Sequence, residues 1–424
     1  MTESDALVPT DEPLARRVVA VAGTRVVLLV IGTVASVVIA RTLGPAGRGR
    51  YAFDVAIATT AIALAHASIE QSQVYLVSIG TALRRLAANA VALGLTLGAL
   101  AVGVVLASCL LLGYPTSAPF SDRPLLLAML AIPASIIVLY VNGLLVLGGR
   151  TDLLNRGGLL AGVVQCVALV ALAATEHLDV TTVLVVWLLN AALPLVVSLP
   201  YLRPRPRDIS RELARTELAT GLRYHAGLAS LYLLLRIDVL LLAALRSDAD
   251  VGLYALAVGL IELTNVATDA VATVVIRRQV TLGLDEAAQL TARVIGITSV
   301  LALAAVSGLL VLSPFVVPLV YGEAFRGSVP ALISLAPGVL ALAATRSAGG
   351  YLIRLNRPWV VTAMTTSAMV VNVALNLLLI PPLGIVGAGL ASSVAYFGLA
   401  AAYLIWLTRS TGLRPAAFRP RLRT

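Results

Sequence analysis

The sequence predicts an all-α polytopic membrane protein with twelve transmembrane helices in two six-helix lobes, related by a pseudo-two-fold axis along the membrane normal. Three observations support this prediction. The mean hydropathy is +0.96, and 59% of the residues are hydrophobic whereas only 12% are charged, about half the charged fraction of soluble domains. The apolar stretches are long enough to cross a bilayer as helices. A sequence pattern from the first half of the chain returns in the second half.

The predicted spans are apolar stretches that carry almost no charge. A helix needs about 20 residues to cross the hydrocarbon core, because it rises 1.5 Å per residue. The first stretch is too long for the core of a signal peptide and no A-x-A cleavage site follows it, so we expect it to be retained as a span. The predicted spans are residues 18–40, 51–79, 86–113, 125–148, 158–175, 181–201, 222–244, 251–276, 288–312, 329–353, 358–380 and 386–408.

All 31 basic residues are arginine, and their distribution orients the predicted spans. With the N-terminus placed in the cytoplasm, the cytoplasmic side, including the span ends that border it, contains 22 of the 31 arginines, and the outer side contains six. This excess follows the positive-inside rule and predicts that both termini are cytoplasmic. It also accounts for the net charge of +10 without a nucleic-acid partner.

The longest connection, residues 202–221, divides the chain into two groups of six spans. Within it, Ser210 is predicted to cap a short helix along RELARTEL that lies at the cytoplasmic interface, where its arginines contact anionic lipid. The predicted domains are a polar cytoplasmic tail at 1–17, an N-terminal lobe at 18–201, the linker at 202–221, a C-terminal lobe at 222–408 and a basic cytoplasmic tail at 409–424.

The junction that follows the first span is repeated after the seventh. Aligning ARTLGPAGRGRYA with ALRSDADVGLYALA places Gly49 and Tyr51 over Gly252 and Tyr254 at a constant offset of 203 residues. Both six-span halves begin in the cytoplasm, so we interpret them as parallel repeats about an axis along the membrane normal. Two similar lobes are typical of a transporter whose central cavity opens alternately to either side.

Four stretches together resemble the polysaccharide-transport branch of the multidrug/oligosaccharidyl-lipid/polysaccharide exporter superfamily. They are ARTLGPAGRGRYA, LLLRIDVLLLAALRSDADVGLYALA, PLVYGEAFRGSVPALISLAP and NVALNLLLIPPLGIVGAGLASSVAY, and they occur in the expected order over nearly the whole chain. The resemblance implies a flippase of the bacterial inner membrane that moves undecaprenyl-pyrophosphate-linked oligosaccharide to the outer leaflet for cell-surface polysaccharide synthesis. Drug exporters share the fold, so the fold alone does not identify the cargo.

Three arginines, Arg25, Arg236 and Arg346, lie in mid-span, where each costs about 2.5–3.5 kcal/mol on insertion scales. Guanidinium groups stay charged and bind phosphate oxygens in a fork geometry. We therefore predict that these arginines line a cationic cavity for the cargo pyrophosphate. The alternative is structural pairing with acidic residues of the spans, which are Asp54, Glu70, Asp238, Glu262 and Asp269.

Other polar residues inside the spans are predicted to bind sugar or a coupling ion. Glu70, Gln71 and Glu262 are predicted to line the cavity as hydrogen-bonding partners of the sugar. His66 aligns with Asp269 at the offset of 203, and both are predicted ion-coupling residues. Histidine titrates near neutral pH, so His66 has two interpretations, a proton-coupling group or a packed hydrogen-bonding side chain.

A second predicted ion-coupling set combines Asp238 with polar residues of the last two spans. Asn372 and Asn376 share one helix face, and Ser392 lies early in the last span. With Asp238 they are similar to the sodium site of lipid II flippases of the same superfamily, which has a carboxylate where this chain has Asn376. Asp238 points about 200° away from Arg236 on a helix, so the two do not pair locally. Sodium binding, a proton on Asp238 and plain inter-helix hydrogen bonding remain alternatives.

The sequence argues against several other classes of protein. It contains no Walker-type glycine-rich loop, so ATP is not expected to drive transport. Cys109 and Cys166 lie in apolar runs and the histidines make no metal-ligand pattern, so neither a disulfide nor a zinc site is expected. The short outer loops carry no paired carboxylates, which argues against a membrane enzyme such as a polysaccharide polymerase.

The leading interpretation is a flippase of lipid-linked oligosaccharide, and the runner-up is a cation-coupled drug or metabolite exporter of the same fold. We expect no cofactor beyond a coupling Na⁺ or H⁺. We expect a monomer whose partners are the lipid-linked oligosaccharide, membrane lipids and the polysaccharide polymerase machinery.

Overall fold

The computed structural model describes residues 14–113, 115–265, 268, 271, 275, 282–354, 358–413 and 415–419. Among these residues, the side chains at 14–22, 25, 344–350, 352–354, 358 and 415–416 are not described. The predicted site residue Asp269 and the side chains of Arg25 and Arg346 therefore lie outside the described part of the structure. Within that part the secondary structure is helical and contains no strand, as predicted.

The first half of the chain forms helices that follow the predicted spans closely. They are α1 (Leu14–Ala65), α2 (Ile69–Ser78), α3 (Leu83–Leu112), α4 (Arg123–Leu147), α5 (Thr151–Ala174), α6 (Val180–Ala192) and α7 (Pro194–Leu202). The second half forms α8 (Arg211–Leu245), α9 (Asp248–Leu263), α10 (Leu284–Val316), α11 (Ser328–Arg354) and α12 (Pro358–Thr411). A π-helical turn at Val317–Tyr321 and short 3₁₀ turns at Pro206–Asp208, Glu323–Phe325 and Pro415–Phe418 complete the described elements.

Eight helical stretches of the described residues are long and apolar enough to cross a membrane. They are Val26–Ser78, Leu83–Leu112, Arg123–Leu147, Thr151–Ala174, Val180–Leu202, Arg211–Leu245, Leu284–Tyr321 and Trp359–Thr411. The protein is therefore a multi-pass membrane protein. The count of twelve spans stays a prediction.

The first and last of these stretches each hold two predicted spans separated by a glycine kink. Each contains 53 residues, far more than the roughly 20 that one helical crossing of the hydrocarbon core needs. Gly44 has φ 65° in α1 and Gly384 has φ 57° in α12. Only glycine adopts this region of φ without a steric cost, so these two residues allow the helices to bend between the paired spans.

Two predicted spans are interrupted in the structure. The predicted span 181–201 divides into α6 and α7 at Pro194, which begins α7 and has no amide hydrogen to continue α6. The predicted span 51–79 divides into the second arm of α1 and α2. There Ala67 and Ser68 have φ 50°, a left-handed conformation that is uncommon for residues with a Cβ atom.

The predicted interfacial helix is continuous with the seventh predicted span, so a separate short helix is wrong. Both form α8, which begins at Arg211. The capping role of Ser210 is confirmed, because its Oγ accepts a hydrogen bond of 3.3 Å from the amide of Leu213.

The chain divides into two compact units. The first comprises residues Met1–Leu43 and Asp54–His225, and the second comprises Gly44–Phe53 and Ala226–Thr424. In the first unit α4 packs against α2, α3, α5, α6 and α7. In the second unit α11 packs against α9, α10 and α12. Helix α8 therefore contributes residues 211–225 to the first unit and 226–245 to the second. The predicted lobes, 18–201 and 222–408, stay predictions.

The two copies of the repeated junction lie against each other within the second unit. A Cβ atom on Gly49 would overlap the carbonyl oxygen of Asp248, and one on Gly252 would overlap the carbonyl oxygen of Pro45. Both positions therefore require glycine so that the two backbones can meet. Each copy of the repeated sequence is thus part of the surface on which the other packs.

Candidate functional site

A buried carboxyl group lies at the centre of a polar cluster in the second unit. Asp238 of α8 is only 1% exposed. Its Oδ2 accepts hydrogen bonds from the hydroxyl of Tyr254 at 2.5 Å and from that of Ser392 at 3.2 Å. Its Oδ1 accepts the amide of Val239 at 2.8 Å. Three donors thus compensate the carboxyl group for its removal from water.

The cluster continues from Ser392 to both predicted asparagines. Asn372 Nδ2 donates to Ser392 Oγ at 3.2 Å, and Asn376 Nδ2 donates to Asn372 Oδ1 at 3.0 Å. Both asparagines and Ser392 are fully buried. The structure therefore joins Asp238, Ser392, Asn372 and Asn376 in one hydrogen-bonded chain. Their role in ion coupling stays a prediction.

The cluster has atoms that suit a small cation or a proton. Asn376 Oδ1 is buried and has no hydrogen-bond partner among the described residues. A buried acceptor without a donor is costly, and a cation or a water molecule would satisfy it. Hard cations prefer carboxylate and amide oxygens, which this donor set supplies. Asp238 alone supplies the group that would carry a proton.

Sequence reasoning missed Tyr254, which makes the shortest contact described for Asp238. The signal was present in the sequence. Tyr254 is the tyrosine of the repeated junction and aligns with Tyr51 at the offset of 203. It is fully buried in α9 and lies just beyond the close-packed Gly252 in the same helical turn. The junction that brings the two backbones together therefore also positions a hydrogen-bond donor to Asp238.

A second feature of this unit is an ion pair between two predicted cargo-binding residues. Arg236 Nη2 lies 2.9 Å from Glu262 Oε1, and the two side chains are 36% and 45% exposed. The alternative of structural pairing is thus realised for this arginine. Arg236 still has guanidinium donors that Glu262 does not occupy, because guanidinium carries five N–H groups. Asp238 does not share this pair and has its own hydrogen-bond partners, as expected because it points away from Arg236 on α8.

The first unit contains a cluster of titratable side chains at the interruption between α1 and α2. His66 Nδ1 lies 3.3 Å from Glu70 Oε2, and these side chains are 12% and 18% exposed. The ring of His225 meets the ring of His66 edge-on, with centroids 5.2 Å apart. Sequence reasoning treated the histidines as scattered, and no local spacing signals that these two meet.

The other predicted residues of this region take different environments. Gln71 is exposed, whereas Gln73, which sequence reasoning missed, is fully buried. Neither side-chain polar atom of Gln73 has a hydrogen-bond partner among the described residues. Asp54 is fully buried. The proposed equivalence of His66 and Asp269 is not tested, because Asp269 lies outside the described residues.

Solved structures with a similar fold are membrane transporters. They include an inward-facing multidrug resistance MATE family transporter of the MOP superfamily, with 15% identity, a TM-score of 0.71 and coverage of 91% of this chain and 94% of that one. Lipid II flippase MurJ in an inward closed conformation has 12% identity and a TM-score of 0.72, with 94% of this chain and 89% of that one covered. A MOP superfamily transporter from Pyrococcus furiosus has 14% identity and a TM-score of 0.65, with 94% and 95% covered.

Family membership follows from the sequence itself. No curated protein sequence matches the chain. The model of the family described as "Polysaccharide biosynthesis protein" matches residues 16–276, which is more than half of the chain. Because identities below 25% show the fold alone, the cargo does not follow from the solved structures. The chain belongs to the polysaccharide biosynthesis protein family and has the fold of the MOP superfamily transporters.

Proposed function

We propose that the protein is a flippase that moves undecaprenyl-pyrophosphate-linked oligosaccharide from the cytoplasmic to the outer leaflet by alternating access. The observation that carries this proposal is the family match over residues 16–276. The fold shared with lipid II flippase MurJ supports it, since that protein is named for moving a lipid-linked sugar. The fold neighbours are named as transporters or flippases, which favours transport over an enzymatic activity.

The proposed cargo site uses charge to bind the pyrophosphate. Arg236 is half-exposed and held by a carboxylate rather than buried in apolar packing. A pyrophosphate would compete with Glu262 for the guanidinium fork, because phosphate oxygens match the same geometry. Arg25 and Arg346 complete the proposed cationic cavity, and Glu70, Gln71 and Glu262 are proposed to bind sugar hydroxyls.

Transport is proposed to draw on an ion gradient. The chain Asp238–Ser392–Asn372–Asn376 is the proposed site of Na⁺ or of a proton, and His66 and Asp269 are proposed to assist coupling. We place the protein in the bacterial inner membrane with twelve spans, in two lobes, and with both termini in the cytoplasm. It is proposed to act as a monomer alongside the polysaccharide polymerase machinery.

A drug exporter is the second candidate function. The similarity to a multidrug resistance MATE family transporter favours it at the level of the fold. Partly exposed carboxylates, Glu70 and Glu262, would attract a cationic drug. The Arg236 pair would repel such a cargo less than a free arginine would.

The test is flipping of a fluorescent undecaprenyl-pyrophosphate oligosaccharide in proteoliposomes. Arg236→Gln is compared with Arg326→Gln, which breaks an exposed Arg–Glu pair with Glu323 outside the spans. We expect flipping by the wild type and by the Arg326 variant, and a loss of at least about tenfold in the Arg236 variant, which corresponds to about 1.4 kcal/mol. Equal flipping by both variants would remove Arg236 from the cargo site. Ethidium efflux without oligosaccharide flipping would favour the drug exporter.

A further inference from the structure

The interruption between α1 and α2 is held by contacts rather than by a helix-breaking residue. The sequence HASIEQ at 66–71 contains neither glycine nor proline. Yet Ala67 and Ser68 adopt a left-handed conformation that is unfavourable for residues with a Cβ atom. Such a conformation persists only where surrounding contacts determine it. The partners of these residues therefore control whether the helix is interrupted.

The Nδ1 atom of His66 lies between a donor and an acceptor. The amide of Ser68 donates to it at 3.2 Å, and Glu70 Oε2 lies 3.3 Å from it. A neutral Nδ1 accepts the amide hydrogen but repels a carboxylate oxygen. A protonated Nδ1 donates to the carboxylate but can no longer accept the amide. One proton therefore exchanges the contact that fixes Ser68 for a contact with Glu70.

His225 has a neutral tautomer that its partners define. Its Nε2 lies 2.9 Å from the carbonyl oxygen of Leu64, which only accepts, so this nitrogen carries the hydrogen. Its Nδ1 lies 3.1 Å from Ser68 Oγ, which can donate or accept. Two imidazolium rings with centroids 5.2 Å apart would repel each other. The pair thus favours one proton over two.

Helix α8 packs directly on this interruption. A Cβ atom on Gly221 would overlap the carbonyl oxygens of Ala67 and Ser68, so the α8 backbone touches the left-handed residues. His225 lies one turn further along the same face, and Glu217 one turn earlier. Helix α8 continues past His225 and carries Arg236 and Asp238 further along the chain.

The ionisable groups beside the pair in the described structure come from two further helices. Glu70 comes from α2 and lies 3.3 Å from His66 Nδ1. From α4, the hydroxyl of Tyr140 donates to the carbonyl oxygen of His66 at 2.6 Å and lies in electrostatic range of Glu70 and Glu217. The carboxyl group of Glu70 is therefore the acidic partner that a protonated His66 would meet.

We propose that His66, Glu70 and His225 form a binding site for one proton, and that the proton controls the interruption between α1 and α2 and its contact with α8. The neutral site holds Ser68 in its left-handed conformation through His66. On protonation, His66 Nδ1 donates to the carboxylate of Glu70 and no longer accepts the amide of Ser68. The step that makes this proton the coupling ion rests on the proposed transport function, whereas proton binding itself does not.

The first experiment uses the fact that the chain contains three histidines. Protein labelled with ¹³C in the imidazole ring gives three signals, which His66→Gln, His225→Gln and His177→Gln assign. His177 is exposed beyond the end of α5 and serves as the internal control. We expect the signal of each member of the pair to respond to pH differently when the other member is removed, because the two rings are in contact. Glu70→Gln should likewise change the response of the His66 signal, because it removes the carboxylate beside Nδ1.

Two results would overturn the proposal. One is that His66 and His225 titrate independently of each other and of Glu70, as His177 does. The other is that neither ring titrates between about pH 5 and pH 8.5, the range around the ordinary value for histidine. If His66→Gln does not fold, the Glu70→Gln and Ser68→Ala proteins test the site through His225. Ser68→Ala removes the Oγ contact with His225 Nδ1 and keeps the amide that donates to His66.

The second experiment measures flipping in vesicles with and without a pH gradient. We expect His177→Gln to keep the acceleration that a pH gradient produces in the wild type, and His66→Gln to lose it. Coupled titration without any flipping would leave the proton site intact and contradict the proposed cargo. Flipping whose dependence on the pH gradient survives His66→Gln would show that the site does not couple.

Discussion

At the scale of single residues, the need for glycine at the two junction positions, Gly49 and Gly252, can be tested separately from transport. Gly252→Ala is expected to destabilise the protein by about 1–3 kcal/mol, because the added methyl group overlaps the backbone of Pro45. Thermal unfolding can be followed by the reaction of a maleimide dye with Cys109, which is buried in the native protein.

Gly259→Ala is the matched control for this experiment. Gly259 lies in the same helix, and a Cβ atom there would meet open space. Alanine should therefore be neutral or stabilise α9 by about 0.5–1 kcal/mol. Equal thermal unfolding of the two variants would contradict the close approach of the junctions.

The hydroxyl of Tyr254 is expected to stabilise the buried carboxyl group of Asp238. Tyr254→Phe removes one of three described donors to that group, which should cost about 1–3 kcal/mol. Tyr403→Phe is the control, since Tyr403 is also buried but its hydroxyl has no hydrogen bond among the described residues. Similar losses of thermal stability in the two variants would show that the Tyr254 contact contributes little.

Part of the hydrogen-bonded cluster around Asp238 can be seen from helical register. Asn372 and Asn376 share one face because they are four residues apart, and the resemblance to lipid II flippases added Asp238 and Ser392. His225 was beyond prediction because its contact with His66 depends on how α8 packs on the interruption. No spacing along the chain encodes that packing.

At the scale of helices, the start of α8 is attached to the first unit by a small set of polar contacts. Asn89 of α3 accepts the Ser210 amide at 2.9 Å and donates to Glu217 Oε2 at 3.0 Å. Arg84 Nε lies 2.9 Å from Asp208 Oδ2. These contacts hold the start of α8 against α3 in the first unit, which extends to His225.

Asn89→Ala is expected to release the first turns of α8. The change leaves the carboxyl group of Glu217 fully buried without its described partner, which should cost about 1–3 kcal/mol or more. Hydrogen exchange at residues 208–217 should become faster while exchange in α5 stays unchanged. In the double variant Asn89→Ala/Glu217→Ala the losses should be less than additive, because the second change removes the orphaned group. Additive losses with unchanged exchange would argue against this attachment.

Helix limits were largely predictable, because hydropathy and proline act locally. The division between α6 and α7 coincides with Pro194, which is visible in the sequence. The interruption at 66–68 was not predictable, since its residues are not helix breakers. There the backbone is held by the local contact of the Ser68 amide with His66 and by the tertiary contact of the Ser68 hydroxyl with His225.

At the scale of the whole molecule, composition alone was sufficient for the class of protein but not for its function. Hydropathy predicts an all-helical membrane protein because no other regular structure with such a sequence satisfies its backbone in lipid. The cargo depends on a few polar side chains among hundreds of apolar ones. Two of the three proposed pyrophosphate ligands, Arg25 and Arg346, have side chains outside the described structure, so this part rests on the family match.

The orientation in the membrane is the remaining whole-molecule prediction, and the arginine distribution argues for it. Ser121 and Ser78 are exposed at opposite ends of α3, the first beyond its C-terminus and the second before its N-terminus. Each can be replaced by a single cysteine. In intact cells producing protein without Cys109 and Cys166, a membrane-impermeant maleimide should label position 121 and not position 78. Ser410, exposed near the end of α12, should behave like Ser78. Permeabilised cells, in which all three should react, control for accessibility. Labelling of position 78 or 410 in intact cells would show that the topology is the reverse of the predicted one. The 22 arginines would then face outward, against the positive-inside rule, and the proposed cargo would move in the opposite direction.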